Sequence, residues 1–339
     1  MIYTRIRGGL GNQLFQYSAA RSLADYLNVS LGLDTREFDE NSPYKMSLNH
    51  FNIRANLNPP GLIKHKKDGK LAYIFDRIKG NQKKVYKEPF LMFDKSLLSK
   101  VDGTYLKGYW QSEKYFLQNR ENILNDINFI HKANELNTKN LKEIKKSTSI
   151  SLHIRRGDYL SNKSYNSTHG VCNLSYYIDA VEYIKKHLGE NIKVFAFSDD
   201  PDWVYENLKL SVEIKFINNN SSVNSFEDLR LMLNCDHNII ANSSFSWWGA
   251  WLNQNPDASA LFLKKMAKTK PRTLKPACGD SRGTDMNPIR ANLNNFVICF
   301  SCVFANNPLF SFRPMRGLVL YPYVHDWSNL TTTINLGLC

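Results

Sequence analysis

Four short stretches of this chain hold the residue types that do chemistry. In His153-Ile154-Arg155-Arg156-Gly157-Asp158-Tyr159, two adjacent guanidiniums sit beside a carboxylate. Neighbouring arginines at the end of a strand are costly unless something anionic pairs with them. The guanidinium fork suits a diphosphate, because it binds two oxygens at once and stays charged. In an extended segment His153 and Arg155 point to one side and Arg156 to the other. The competing reading is an internal salt bridge from Arg156 to Asp158 or Asp199. Arg156-Gly157-Asp158 also spells an adhesion tripeptide, which is read as coincidence.

The other three stretches are weaker alone. Gly8-Gly9-Leu10-Gly11-Asn12-Gln13 is a glycine turn ahead of a helical run, where backbone N–H groups can form an anion site. It lacks the GxxxxGK[ST] pattern, and as GxGxxG it fails at Leu14. Asp34 lies about where a ribose-binding acid would stand, so a dinucleotide site stays open beside a plain tight turn. Ser198-Asp199-Asp200-Pro201 pairs two carboxylates. Pro201 suits the first position of a helix, so capping or a ribose contact is preferred over a metal. Asn242-Ser243-Ser244-Phe245-Ser246-Trp247-Trp248-Gly249-Ala250-Trp251 opens a helix with hydroxyls that could hold phosphate. Core packing is the expectation for at least two of its three tryptophans.

These stretches need elements to position them. Ile2 to Arg7 alternates like a strand, Asn12 to Asn28 has helical periodicity, and Val29 to Leu33 reads as a second strand ending at Asp34. Residues from Arg36 to about Asp102 are irregular, and Asn134 to Ser147 reads as a polar, Lys-rich connection between domains. Then strands are expected at Ile150–Arg155, Lys193–Ser198, Glu213–Ile217, Asn238–Ala241 and Ser259–Leu263. Helices are expected at Ser175–Leu188, Asp202–Leu208, Ser225–Cys235 and Phe245–Asn253. Gly189 is the stop of the first helix, and Ser225 is expected as an N-cap with Asp228 at the third position after it. Such alternation gives a parallel, doubly wound sheet, whose ligands sit at the carboxyl ends of the strands. Arg155-Arg156, Ser198-Asp199-Asp200 and Asn242-Ser243-Ser244 all fall at those ends.

Bulk properties narrow the field. The chain has 339 residues, 42% of them hydrophobic and 22% charged, so it can bury a large core without disulfides or metal. The formal net charge is +13. Scattered solvated lysines account for most of it, including those of His65-Lys66-Lys67 and Gln82-Lys83-Lys84. No signature of nucleic-acid binding is present. The N-terminus has no apolar h-region, and the most apolar window, Phe296 to Ala305, is too short to span a membrane. The expectation is a cytoplasmic chain with reduced cysteines. Cys299-Phe300-Ser301-Cys302 is a lone CxxC with no second ligand pair. From Met266 to Cys339 the composition changes: eight Lys/Arg, three Asp, no Glu, and four of the six cysteines.

GGLGNQLFQY, HIRRGDY, SDD and NSSFSWWGAWL, in that order and spacing, resemble bacterial α-1,2-fucosyltransferases of glycosyltransferase family 11. The resemblance covers about residues 1–265. It implies an α/β, GT-B-like fold: an acceptor-side domain at 1–147 and a donor-binding Rossmann-like domain at 148–265, facing a cleft. Residues 266–339 form an atypical tail, either a divergent extension or a stretch translated in a different frame from its relatives. The resemblance implies GDP-β-L-fucose as donor, a β-galactoside in O-antigen or a similar glycan as acceptor, inversion at the anomeric carbon, and neither metal nor cofactor. Carried over by motif, Arg155 clamps the β-phosphate with support from Arg156. His153 and Asp228 face the guanosine, Gly9, Gly11 and Asn12 approach the diphosphate, and Ser244 and Ser246 add phosphate contacts. Asp158 is the candidate base. A fucosyltransferase of another linkage, a nicotinamide-dependent oxidoreductase using the glycine loop, and a nucleic-acid or adhesion module are the competing readings. The excess lysines are expected to favour an anionic membrane surface.

Overall fold

A computed structural model describes residues 1–64, 69–80, 84–89, 93–156, 172–256, 258 and 260–261. Expectations for Asp158 and for the 266–339 tail lie outside the described residues. The first half runs β1 (Ile2–Arg5), α1 (Leu10–Tyr26), β2 (Leu31–Asp34), β3 (Asn56–Leu57), α2 (Lys70–Ile78), β4 (Val85–Lys87), β5 (Tyr105–Lys107), α3 (Arg120–Asp126) and α4 (Glu135–Ile144). The second half runs β6 (Thr148–Ile154), α5 (Leu174–Leu188), β7 (Ile192–Ser198), α6 (Pro201–Asn207), β8 (Glu213–Ile217), α7 (Ser225–Leu233), β9 (His237–Ile239), α8 (Ser244–Trp251) and β10 (Ala260–Leu261).

Each half builds one five-stranded sheet, with spatial orders β3-β2-β1-β5-β4 and β10-β9-β6-β7-β8. Every strand pairing within them is parallel. The second is doubly wound: the chain steps outward from β6 to β8, then returns to the other side of β6 as β9. Its topological switch point is therefore between β6 and β9, and that of the first sheet between β1 and β5.

Strand alternation sorts the second sheet's two faces. Ile150, Leu152, Ile154 and Val194 pack with Tyr176, Val181 and Val204 of α5 and α6. Phe195, Phe197 and Ile217 pack with Leu231 and Met232 of α7 and Ile144 of α4.

The larger core belongs to neither sheet alone. Leu14 and Phe15 of α1 share it with Phe116 and with Trp247, Trp248 and Trp251 of α8, all three tryptophans being buried. The Phe15 ring lies 4.5 Å from that of Trp247, and Phe116 stacks on Trp248 at 5.5 Å. Aromatic pairs at such separations add attraction beyond their buried area.

Three local expectations need correction. Residues 134–147, expected as a polar connection between domains with no helix assigned, contain α4, capped by the Asn134 side chain accepting from Asn137 N at 2.9 Å. Its inward positions include Asn137 and Asn140, which bond Asn220 and Asn219 at 2.8 and 3.1 Å, so an amide network replaces the apolar stripe. Ser225 is not an N-cap but the first residue of α7, because a 3₁₀ turn at Ser222–Asn224 runs directly into the helix. Helix α1 starts at Leu10, inside the glycine turn, which places Gly11 in its first turn.

Candidate functional site

Register brings two of the motifs together. Ile154 of β6 stands opposite Ser198 of β7. The next residues on each strand, Arg155-Arg156 and Asp199-Asp200, therefore emerge side by side. Arg155 Nε lies 3.2 Å from Asp199 Oδ2, and Arg156 Nε lies 3.5 Å from Asp200 Oδ2. The Arg156 amide also donates to Asp199 Oδ1 at 2.8 Å. These carboxylates orient the arginines. Asp200 occupies the N-cap position of α6 without a side-chain capping bond, so the capping expectation for the pair is not met, although Pro201 does open the helix.

The two arginines part company as alternation requires. Arg156 lies over the Trp203 ring of α6, 3.2 Å from its centroid, and is held there by Asp200. That contact gives its charge a partner within the fold. His153 sits on the opposite face, its ring 5.6 Å from Phe245 of α8. His153 is buried and its Nδ1 makes no hydrogen bond. Burial, and secondarily the Arg155 charge, lowers its pKa to about 3, so the ring is neutral.

Asp228, on α7 of that same face, accepts from Asn220 Nδ2 at 2.7 Å. Burial is the main cause of its raised pKa, about 7, opposed by the Asn220 bond. Asn220 is itself tied to Asn137 of α4, so α4, the segment after β8 and α7 hold this carboxyl jointly.

The glycine turn and the Ser/Trp stretch are docked on each other. Gly8 has φ +76°, which favours glycine, and extended Gly9 precedes α1. A Cβ on Gly11 would stand 2.5 Å from Phe245 N and 2.6 Å from Ser244 C. Gly11 is thus a helix-contact glycine: α8 backbone fills the space a side chain would take there. Trp248 Nε1 donates to Gly11 O at 3.1 Å. Asn12 Oδ1 accepts from Ser244 Oγ at 3.0 Å and from Gln111 Nε2 at 2.7 Å. Ser243 caps α8 through Phe245 N. Ser246 is buried with its hydroxyl on Ser243 O and Ala241 O, at 3.3 and 3.5 Å, so it braces the turn before α8. A Cβ on Gly9 would meet only the Tyr44 ring, at 3.7 Å.

Sequence reasoning gave no role to Gln13 and Gln16. Gln13 is buried, donates to Gly8 O and Lys45 O at 2.8 Å, and accepts from Ser47 N at 2.9 Å. Gln16 Oε1 accepts from Arg7 N at 2.8 Å. Both hold the glycine turn, and their signal was position within the motif, one helical turn inside α1. Asp34 is buried, bonded by Arg36 Nη2 and Tyr105 Oη, each at 2.7 Å. A ribose would have to displace both, which tells against a dinucleotide at that strand end. Among the described residues no group of three His, Cys, Asp or Glu stands close enough to hold a metal ion.

Residues 2–270 match the model of glycosyl transferase family 11. The chain belongs to that family. An alpha-1,2-colitosyltransferase of Escherichia coli is 34% identical over 272 residues, covering 74% of this chain and 87% of its own. The O-antigen biosynthesis glycosyltransferase WbnK of Escherichia coli is 33% identical over 285 residues, covering 78% and 94%. Over 106 residues, 31% of this chain and 29% of the relative, it is 26% identical to galactoside alpha-(1,2)-fucosyltransferase 1 of Saimiri boliviensis boliviensis. This family 11 chain is a glycosyltransferase, and its α/β architecture of two parallel five-stranded sheets agrees with the fold class its motifs implied. Among the described residues no helix is long and apolar enough to cross a membrane.

Proposed function

We propose that this family 11 transferase moves fucose from GDP-β-L-fucose to the 2-hydroxyl of a terminal β-galactoside, with inversion, in O-antigen or similar glycan synthesis. The observation that carries the reading is Arg155, at the carboxyl end of β6, a strand that flanks the switch point, and oriented by Asp199 at the end of β7. There its cation is preorganised for the charge that builds on a departing diphosphate. The neutral His153, with its open Nδ1, and Asp228 on the same face take the guanosine. Gly9, Asn12 and Ser244 line the diphosphate from the junction of α1 and α8.

The acceptor hydroxyl attacks the anomeric carbon opposite the leaving GDP, through an oxocarbenium-like state. Asp158 takes the hydroxyl proton. Arginine and helix ends do the work of a metal, so EDTA leaves the rate unchanged. Transfer of a colitosyl group in place of fucosyl is the second reading, favoured by the colitosyltransferase relative. Incubation with GDP-fucose or GDP-colitose and a panel of β-galactosides, followed by linkage analysis, tests both. An α-1,2-linked fucosyl product is the expected result. Absence of any glycosyl product overturns the reading.

We also propose peripheral contact with an anionic membrane, through α2. Leu71, Ile74, Phe75 and Ile78 share one helical face and are 72%, 48%, 61% and 74% exposed. Ala72 and Tyr73 face inward by comparison. Between residues 64 and 84 the sequence carries eight Lys/Arg against two Asp. An exposed apolar stripe flanked by cations is the pattern of a helix lying in a membrane interface.

A further inference from the structure

The first sheet has a switch point of its own, and cations crowd it. Strands β1, β5 and β4 are neighbours, and they end on Arg5, Lys107 and Lys87. Lys87 is in register with Lys107. Thr4 is in register with Leu106, which brings Arg5 level with Lys107. Residues in register on parallel strands share a face, so the three cations form a row across the sheet. With Arg7, Glu88, Gly108 and Tyr109 they line a recess of about 300 Å³.

The carboxylates nearby leave this row short of negative charge. Glu37 serves Arg5 and Arg7, at 3.5 and 3.2 Å. Glu88 is held by the amides of Tyr109 and Trp110, at 2.7 and 3.0 Å, and burial raises its pKa. Gly108 makes that grip fit, since a Cβ there would lie 2.5 Å from Glu88 Cβ. Among the described residues neither Lys87 nor Lys107 has an ion pair, and Arg5 Nε is buried without a hydrogen bond. Like charges side by side on neighbouring strands destabilise a sheet. Burial, then the fields of Arg5, Lys87 and Arg7, lowers the pKa of Lys107, as expected of a cation crowded by cations.

We propose that this recess is an acceptor subsite for an anionic group: the carboxylate of an acidic sugar or a phosphate ester, carried beside the galactoside that is fucosylated. The inference rests on the transferase reading only in calling the ligand an acceptor. The diphosphate of the donor is assigned to Arg155 and to the junction of α1 and α8, and none of those residues lines this recess, which leaves its row of cations for the second substrate. Two or more oxygens of one anion can bridge Lys87, Lys107 and Arg5, satisfying Arg5 Nε and relieving the repulsion along the row.

Calorimetric titration of the full chain with three disaccharides tests it: lactose, β-galactosyl-glucuronic acid and lactose 1-phosphate. The expected result is that one charged disaccharide binds at least about tenfold tighter than lactose, weakening as salt rises. Which one wins tells carboxylate from phosphate. In the Lys87→Gln/Lys107→Gln double variant, with wild-type circular dichroism, that preference vanishes. The single variants Lys87→Gln and Lys107→Gln stand in if the double variant fails to fold, each losing part of the preference. Equal binding of all three by the wild type, or an undiminished preference in folded variants, overturns the subsite. Binding is read without turnover, so a chain that fails to transfer fucose yet keeps the charge preference refutes the donor reading and leaves the anion site standing.

Discussion

Gly11 of α1 and Phe245 of α8 are in backbone contact: the place a Cβ of Gly11 would occupy lies 2.5 Å from Phe245 N. Two motifs more than 230 positions apart are therefore one structure. The bond from Trp248 Nε1 to Gly11 O pins it, and the aromatic core beneath it is shared by α1 and α8. Gly11→Ala has no flexible side chain to push aside. It is expected to cost about 1–3 kcal/mol, as overpacking does, and to lower turnover as well, because Asn12 and Ser244 meet at the same junction. Thermal unfolding and kinetics of Gly11→Ala and Gly9→Ala check this. Gly9→Ala is expected to be the milder, since only the Tyr44 ring lies near its Cβ position.

Arg155 and Arg156 are predicted to differ in kind. Arg155→Ala removes a preorganised donor and is expected to lower kcat by about 10²–10³, with little change in Tm. Arg156→Ala loses the Trp203 stack and the Asp200 pair. Its effect is expected mainly on stability. Asp199→Asn keeps an acceptor for the Arg156 amide but weakens the Arg155 pair, so its kcat is expected between those of wild type and Arg155→Ala. Parallel Tm and kcat measurements separate the three. Equal kcat losses in the two arginine variants would refute the division.

Much of this was legible in the sequence, for identifiable reasons. The second sheet follows from apolar runs punctuated by turn residues, and the opposite facing of His153 and Arg156 follows from strand period alone. The pairing of Arg155 with Asp199 was not read, because it depends on the register of β6 on β7, and a strand sequence does not announce its register. Helix α4 was missed because Asn137 and Asn140 bury amides, and hydrophobic periodicity cannot find a polar inner face. The docking of Gly11 on Phe245 is a long-range contact between helices from the two halves, invisible to any local pattern. The cation row of Arg5, Lys107 and Lys87 was hidden likewise, its strands being short and embedded in irregular sequence.

Titration offers a test of the environments of His153 and Asp228, with opposite signs. Asp228 has its pKa raised from 3.8 to about 7, so the folded chain holds a proton that the unfolded chain releases. Its contribution to stability is present below pH 3.8 and is lost as pH rises toward 7. His153 has its pKa lowered from 6.5 to about 3, so the unfolded chain takes the proton first, and stability is lost as pH falls below 6.5. Asp228→Asn is therefore expected to gain Tm relative to wild type at pH 7 compared with pH 4. His153→Gln is expected to soften the loss between pH 6 and pH 4. Unfolding scans at the three pH values, with GDP absent, check both; a uniform offset between variant and wild type would contradict the assignment.

The exposed stripe of α2 makes the last prediction. Burial of Leu71, Ile74, Phe75 and Ile78 in a membrane interface, with Lys70, Arg77 and Lys79 exposed around them, requires both apolar area and negative headgroups. Each cation near an anionic surface contributes about 1 kcal/mol. The full chain is therefore expected to co-sediment with phosphatidylglycerol vesicles, to do so less at high salt, and to ignore phosphatidylcholine vesicles. Phe75→Ser/Ile78→Ser is expected to release it while leaving transfer to a soluble β-galactoside intact, because α2 contributes no residue to the recess or to the Arg155 site. Recovery on both vesicle types alike, or undiminished binding of the double variant, would show that the stripe serves another surface, such as a second copy of the chain. Concentration-dependent sedimentation without vesicles would then detect that copy directly.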